Sequence, residues 1–458
     1  MWLKRTERFL SLSSYILFCT LCLFGFSSAV EAQESPMHLT LSQAIDLALK
    51  QNRSLGLARL AVTDSEHKKE VARSAYFPHI KNESSVLHVT ELAGVEIPTG
   101  AFGVHTITGP IPGQTLFIDQ GALTSYTSGT GLTQPLTQMF KIHESNRAAT
   151  ADIDTAKIQV DQAENDVVLK VRQIYYALLI AQLKKQAADE EVNASQIKDQ
   201  EAQDAVLNGR ALDVAALETR AGLLDAKQTV LTQSLQIHSL SLTLNDLLGL
   251  PLNSQFQLES ELPAPTSSIP LREECIQIAE NSSPEIRSAQ QSVVKARAGL
   301  AAAKDAYIPD VTGLARYSYQ SGVPLLVHNF GTFGFTLSYD LFDGGRRDAE
   351  IKDSHTLLNQ AELNLAKVKE EVTVQVETAY DKVEQLQNML EVVDQLLKVR
   401  TEAARLSDRQ FEQNAALASA RAEAHSKVAT AKASYFEATL GLWLAQADLK
   451  RTMGQMPR

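Results

Sequence analysis

Ten histidines, three cysteines and the run Gly344-Gly345-Arg346-Arg347 are where this 458-residue chain has side chains suited to chemistry. Metal-assisted hydrolysis would need ligands paired on one helix face, as in His-Glu-x-x-His, and that spacing does not occur. His79, His88 and His105 cluster loosely in a stretch rich in glycine and proline, where ordinary surface-loop histidines compete with a metal site. Cys19 and Cys22 have the Cys-x-x-Cys spacing of redox or metal work, but both sit in the apolar core of an N-terminal leader. Cys275 is left alone, so no internal disulfide can form. Gly344-Gly345-Arg346-Arg347 lacks the Gly-x-x-x-x-Gly-Lys spacing of a phosphate loop. It reads as a junction where two glycines bend the backbone and two arginines meet a polar interface. No catalytic constellation, cofactor site or metal site is expected, and the chain does not read as an enzyme. A formal net charge of −11 argues against a nucleic-acid partner.

The elements that position these residues begin after residue 32. Lys4, Arg5 and Arg8 precede an apolar run from Phe9 to Phe26 and a small-residue stretch from Ser28 to Ala32. This pattern predicts a secretory signal peptide over 1–32, cleaved after Ala32, with a membrane anchor that stays on as the alternative. Its loss removes three positive and two negative charges and takes −11 to −12. Neither leader cysteine is framed by small residues, so no lipid anchor is expected. No second stretch approaches the roughly 18 apolar residues of a spanning helix. A mature chain in a membrane must therefore cross it as a β-barrel.

The chain is one unit written twice. Ala48-Leu49-Lys50-Gln51-Asn52 lies 231 residues before Ala279-Glu280-Asn281-Ser282-Ser283, and the same offset maps Tyr76 and Pro78 onto Tyr307 and Pro309. Further on the offset is 205. It carries the apolar stripe Ile153, Ala156, Val160, Ala163, Val167, Val171, Ile174, Leu178, Ala181 onto an equally apolar stripe from Leu358 to Leu386. Steps of three and four approach the 3.5-residue period of coiled coils. The first unit, 33–262, divides into helices about 42–77, 136–207 and 211–248 and a hairpin about 79–135. The second, 263–458, has helices about 271–308, 345–413 and 417–453 and a hairpin about 310–342. A 70-residue helix is about 105 Å long, too long for a globular core. Asn208-Gly209-Arg210 marks the first long-helix turn. At an offset of 206, Asn414 and Ala415 mark the second. Ala424, Ala431, Ala438 and Ala445 form a seam of strict sevens that allows close helix approach.

Phe333, Phe335, Leu337, Tyr339 and Leu341 alternate with Thr332, Gly334, Thr336, Ser338 and Asp340. Such a segment suits a barrel wall with lipid on one side and water on the other. Its partner is Val311–Gln320, joined through Ser321-Gly322-Val323-Pro324. In the first unit, Ile80–Leu92 and Ser125–Pro135 flank a long loop. Four strands cannot close a barrel, and open edges in lipid leave backbone groups unpaired at several kcal/mol each. Several copies must then share one barrel.

The ordered parts resemble the TolC family of outer-membrane efflux and export proteins. The resemblance rests on Leu39-Thr40-Leu41-Ser42-Gln43-Ala44 leading into Ala48-Leu49-x-x-Asn52, on the Tyr-x-Pro helix ends, and on Asp340-Leu341-Phe342-Asp343-Gly344-Gly345 before a long Ala/Gln/Glu helix. It spans about 38–454. It implies a mainly α fold with a small β part, in which the duplicated helix–β-hairpin–long helix hairpin contributes to a trimeric 12-stranded transmembrane β-barrel and a periplasmic α-helical barrel. The implied place is the outer membrane, extending into the periplasm. The implied function is the exit duct of a tripartite efflux or type I secretion system, passing small molecules or polypeptides passively. The implied partners are two sister copies, a periplasmic adaptor, an inner-membrane pump or ATP-driven exporter, and outer-membrane lipid. Adaptor-contact candidates at the tips are Asn208, Gly209, Asp213, Val214, Asn414 and Ala415, although Ser419-Ala420 stands where Asp-Val would recur. Gate candidates are Asp199, Asp204, Arg210, Arg405, Asp408, Arg409 and Glu412, with Glu201 nearby. In the family, ion pairs hold the mouth shut, and a ring of three aspartates would favour cations. The competing reading is a secreted periplasmic coiled-coil scaffold with a small soluble β-domain, in which the Phe333–Leu341 face would pack inside one chain.

Overall fold

The computed structural model describes residues 37–118, 121–259, 269–322 and 327–455. The expected signal peptide and the Val323-Pro324 part of the second hairpin turn lie outside the described residues.

The first unit opens with β1 (Met37–Leu39), α1 (Leu41–Gln51) and α2 (Arg53–Ser74). Thr40 caps α1 by a reciprocal box: its hydroxyl accepts from the Gln43 N–H at 3.1 Å, and its own N–H donates to Gln43 Oε1 at 3.1 Å. That is the physical content of the Thr40-x-x-Gln43 motif. The helix expected over 42–77 is in fact two, because Asn52 takes ψ 124°. Its Oδ1 accepts from the Leu55 N–H at 3.1 Å and starts α2, while Nδ2 donates to the Leu247 carbonyl at 2.9 Å. The helix expected over 271–308 divides likewise into α5 (Arg272–Ser282) and α6 (Pro284–Lys304), with a 3₁₀ turn after it. Ser283 has ψ 126°, and Pro284 starts the new helix at the position where its missing N–H costs nothing.

Strands β2 (His79–His88) and β7 (Thr124–Pro135) flank the long loop, which holds four short strands: β3 (Val95–Ile97), β4 (Val104–His105), β5 (Gly109–Pro110) and β6 (Leu116–Ile118). The rod α3 (Met139–Leu207) has 69 residues, and α4 (Asp213–Leu248) returns from it. A short β8 (Phe256–Leu258) pairs in parallel with β1. In the second unit β9 (Asp310–Ser321) and β10 (Asn329–Ser338) precede α7 (Arg346–Glu412) and α8 (Ala418–Thr452). At 1.5 Å per residue α3 and α7 are each about 100 Å long.

The long helices form a layer in the order α4-α3-α8-α7, and α6 lies against both α3 and α7. The strands form one antiparallel sheet in the order β2-β7-β9-β10. Two cores form, one centred on each unit, and Leu440 of α8 joins the first. One gathers Leu39, Ala44, Ala48, Val171, Leu178, Leu244 and Leu248, and the other gathers Cys275, Ala279, Ile286, Val376, Val383 and Leu449. Ala431, Ala438 and Ala445 are buried in α8, as a seam of small residues between two neighbouring helices requires. Gly249 and Gly454 end α4 and α8 with φ +73°. Both sit against the α1 and α5 hinges, and a Cβ on Gly249 would come within 2.9 Å of the Gln51 carbonyl oxygen.

Candidate functional site: the helical tips and the strand face

At the first tip the N–H groups of Gly209 and Arg210 donate to the Val206 and Ala205 carbonyls at 2.9 and 2.8 Å, and Gly209 turns the chain at φ +66°. At the second tip Asn414 and Ala415 donate to Phe411 and Gln410 at 2.9 and 2.8 Å, and Asn414 has φ +57°. The two turns are therefore related by 205 residues, the same offset as the rods, and not by 206. Asn414, not Ala415, is the counterpart of Gly209. Asparagine is the side chain that best tolerates left-handed backbone after glycine, so this turn did carry a local signal. The counterpart of Asp213-Val214 is Ala418-Ser419, not Ser419-Ala420.

The charged candidates separate into two groups. Asp204, Arg210, Arg409 and Glu412 are exposed, as are Asn208, Asp213 and Val214. Asp199 is 5% exposed and engaged within its own chain. It accepts from Thr219 Oγ1 at 3.2 Å, Gln203 Nε2 at 2.9 Å and Arg220 Nη1 at 3.4 Å. Asp408 accepts from Arg421 Nε at 2.7 Å and lies 2.9 Å from His425 Nε2. These two partners, His425 first, hold its carboxyl below the ordinary value. Arg405 pairs with Glu402 one turn away and lowers that carboxyl in turn.

Glu201 has a role that no local spacing announces. Leu417 cannot cap α8, and Glu201 of α3 does so from the other hairpin, accepting from the Ser419 N–H at 3.1 Å and from its hydroxyl. Glu191 holds the Ser426 hydroxyl in the same way one level up. Between them a cleft of about 410 Å³ is lined by Glu191, Lys198, Glu218, Thr219, Ser419 and Glu423. The two hairpins of one chain are thus joined by carboxylates of the first on hydroxyls of the second.

On the sheet, Phe333, Phe335 and Leu337 are 89%, 77% and 68% exposed on one face of β10. Tyr339 and Leu341 lie past the end of the strand. Tyr339 and Tyr307 bracket the Arg347 guanidinium at 4.8 and 5.2 Å. Whereas its neighbour Arg346 is exposed and pairs with Asp340 and Glu350, Arg347 is buried, not turned outward as expected. Its Nε donates to Asp343 Oδ2 at 2.6 Å and pulls that carboxyl down to about 2. Gly344 and Gly345 turn the chain between sheet and rod through left-handed backbone, φ +67° and +87°, beside this bolt. Among the described residues no helix is long and apolar enough to cross a membrane, and no group of three or more His, Cys, Asp or Glu could hold a metal.

A family model described as outer membrane efflux protein matches residues 44–250 and 275–455, one stretch for each unit. Among solved structures, the outer membrane protein VceC from Vibrio cholerae is 14% identical with a TM-score of 0.70, over 91% of this chain and 97% of that one. The Campylobacter jejuni CmeC outer membrane channel is 15% identical with a TM-score of 0.71, over 90% and 85%. The open state of the Neisseria gonorrhoeae MtrE outer membrane channel is 18% identical with a TM-score of 0.63, over 91% and 89%. Identities this low establish a shared fold. No curated protein matches the chain.

Proposed function

The chain belongs to the outer membrane efflux protein family, and on that premise we propose that three copies close into one continuous duct through the outer membrane and periplasm. The carrying observation is that each contact between the two units inside the chain has an unfilled twin. Strand β7 pairs with β9, while among the described residues β10 and β2 end the sheet with one edge unpaired. Rod α3 packs on α8, while α7 and α4 edge the helical layer. Helix α6 packs on both rods, while α2 packs on α3 and turns Leu57, Leu60 and Val71 to solvent. The bare edges carry apolar stripes at coiled-coil spacing: Leu217, Leu224, Leu231 and Leu235 on α4, and Met389, Val392, Leu396, Val399 and Leu406 on α7. A neighbour's α4 on α7, and its β2 on β10, fills every twin. Three copies make twelve strands, an even number in the range of such barrels.

In this reading Phe333, Phe335 and Leu337 face outer-membrane lipid. The scaffold alternative needs that face packed within one chain, and its exposure speaks against it. The tips, with Gly209, Asp213, Val214 and Asn414, meet a periplasmic adaptor. Asp204, Arg210, Arg409 and Glu412 stand at the periplasmic mouth. Passage is passive, driven by an inner-membrane pump or ATP-driven exporter, in drug efflux or type I secretion. Purified protein in detergent should be a trimer that conducts ions in planar bilayers. Val399→Glu should leave monomers, since it puts a charge where about 1.5–3 kcal/mol of apolar burial is expected. A wild-type protein that stays monomeric and silent would overturn the reading.

A further inference from the structure

We propose that Arg316, with Lys81, makes the inside of the barrel select for solutes carrying negative charge. This rests on the duct reading above and adds a selectivity element to it. The strand register sets Lys81, Gly131, Arg316 and Thr332 in one row across the sheet, and Glu83, Gly129, Ser318 and Phe330 in the next row on the same face. Successive side chains alternate faces, so these rows lie opposite Phe333 and Phe335. With those two rings in lipid, Arg316 looks into the lumen.

Its side chain does not stand straight up from the sheet. It leaves β9, crosses β7 and reaches β2. Gly131 clears its stem, with Cγ 3.9 Å from where a Cβ would lie, and a Cβ on Gly129 would stand 2.5 Å from Nη2. Gly129 thus leaves the slot in which the guanidinium lies flat. Nε donates to Ser318 Oγ at 3.2 Å, and Nη1 stands 3.6 Å from Glu83 Oε2. Lys81 Nζ holds the same carboxylate at 2.7 Å. Two cations about one carboxylate leave one positive charge per chain, and the Arg316 side chain stays 47% exposed to the lumen. Asp310, on the same face at the foot of β9, is occupied by Lys141 at 3.7 Å and does not offset it. Three chains place a ring of three positive charges in a wall whose neighbouring positions on the same face are small or uncharged side chains such as Gly129, Gly131, Ser318 and Thr332, with Phe330 beside Ser318.

The ring's reach is the Debye length, about 10 Å at 0.1 M salt and about 3 Å at 1 M. Reversal potentials in planar bilayers under a KCl gradient give the chloride-to-potassium permeability ratio. Near 0.1 M, R316Q should lower that ratio about twofold and E83Q should raise it by a similar factor, with R316K near wild type and all differences shrinking at 1 M. Both variants break the same ion pair, so opposite shifts report charge and not a loosened sheet. An unchanged ratio in conducting R316Q channels, or shifts of the same sign in R316Q and E83Q, overturns the proposal. A wild-type protein that does not conduct would instead overturn the duct reading.

Discussion

At the first tip the tie between the two helices is Asp199, 5% exposed and bonded to Thr219 and Arg220. At the second it is Asp408, 32% exposed and bonded to Arg421 and His425. The offset of 205 puts Ala404 where Asp199 would recur, and Gln203 opposite Asp408. Neither tie was handed down by the duplication. The turns they support are alike in hydrogen bonding and left-handed backbone, so the halves share a backbone solution and differ in what clamps it. A buried carboxylate that loses its donors cannot turn to water, whereas an exposed one can. The second tip is the easier of the two to loosen.

That contrast can be broken at the backbone first. Gly209→Pro should cost the first tip about 3 kcal/mol or more, since φ +66° is closed to proline and the Gly209 N–H is in use. Export should fail while trimers still insert, and limited proteolysis should cut near residue 209. Normal export would mean that this turn does not matter to the mouth. Next in size, Asp199→Ala should destabilise its tip by about 1–3 kcal/mol, whereas Asp408→Ala, at a tie screened by solvent, should loosen its tip less. Hydrogen exchange of the tip amides reads both, and the reverse order would end the distinction between buried and exposed ties.

Acid should act on the second tie in one direction. Its carboxyl is held below the ordinary 3.8, so the contribution is complete above that value and is lost as pH falls through the lower folded one. Amides around 405–425 should exchange faster than intrinsic chemistry predicts as pH drops below about 4. A protection profile that stays flat through that window would detach Asp408 from tip stability. The smallest change is expected of Asn414→Gly, within about 1 kcal/mol, because glycine enters left-handed backbone freely but loses more entropy on folding. A large loss by thermal unfolding would show that the Asn414 side chain, not its backbone, makes the turn.

Much of this was legible because periodicity survives in a linear string. The rods, the apolar stripe through Val171 and Leu178, and the alternation at Phe333 to Leu337 all follow from repeats of 3.5 or two residues. The breaks at Asn52 and Ser283 were harder to see. Each is a single residue of non-helical ψ: Ser283 precedes Pro284, which disfavours helical backbone before it, while Asn52 caps α2 and is held further by a carbonyl 195 positions away. The short pair β1 and β8 was hidden for a similar reason, since three residues carry no period. At the junction, Gly344-Gly345 announced a bend, but nothing local said that Arg347 would turn inward between Tyr307 and Tyr339.

The sequence by itself determined a duplicated pattern of long helices and short amphipathic strands, since hydrophobic spacing and the absence of Gly and Pro from the rods act within a few turns. Tertiary structure alone decided which carboxylates became ties and which stayed in water. Asp199 and Asp204 sit five residues apart on one helix, and only the approach of α4 buries the first and leaves the second exposed. Burial depends on what another segment brings close, and that distance is not written in local spacing.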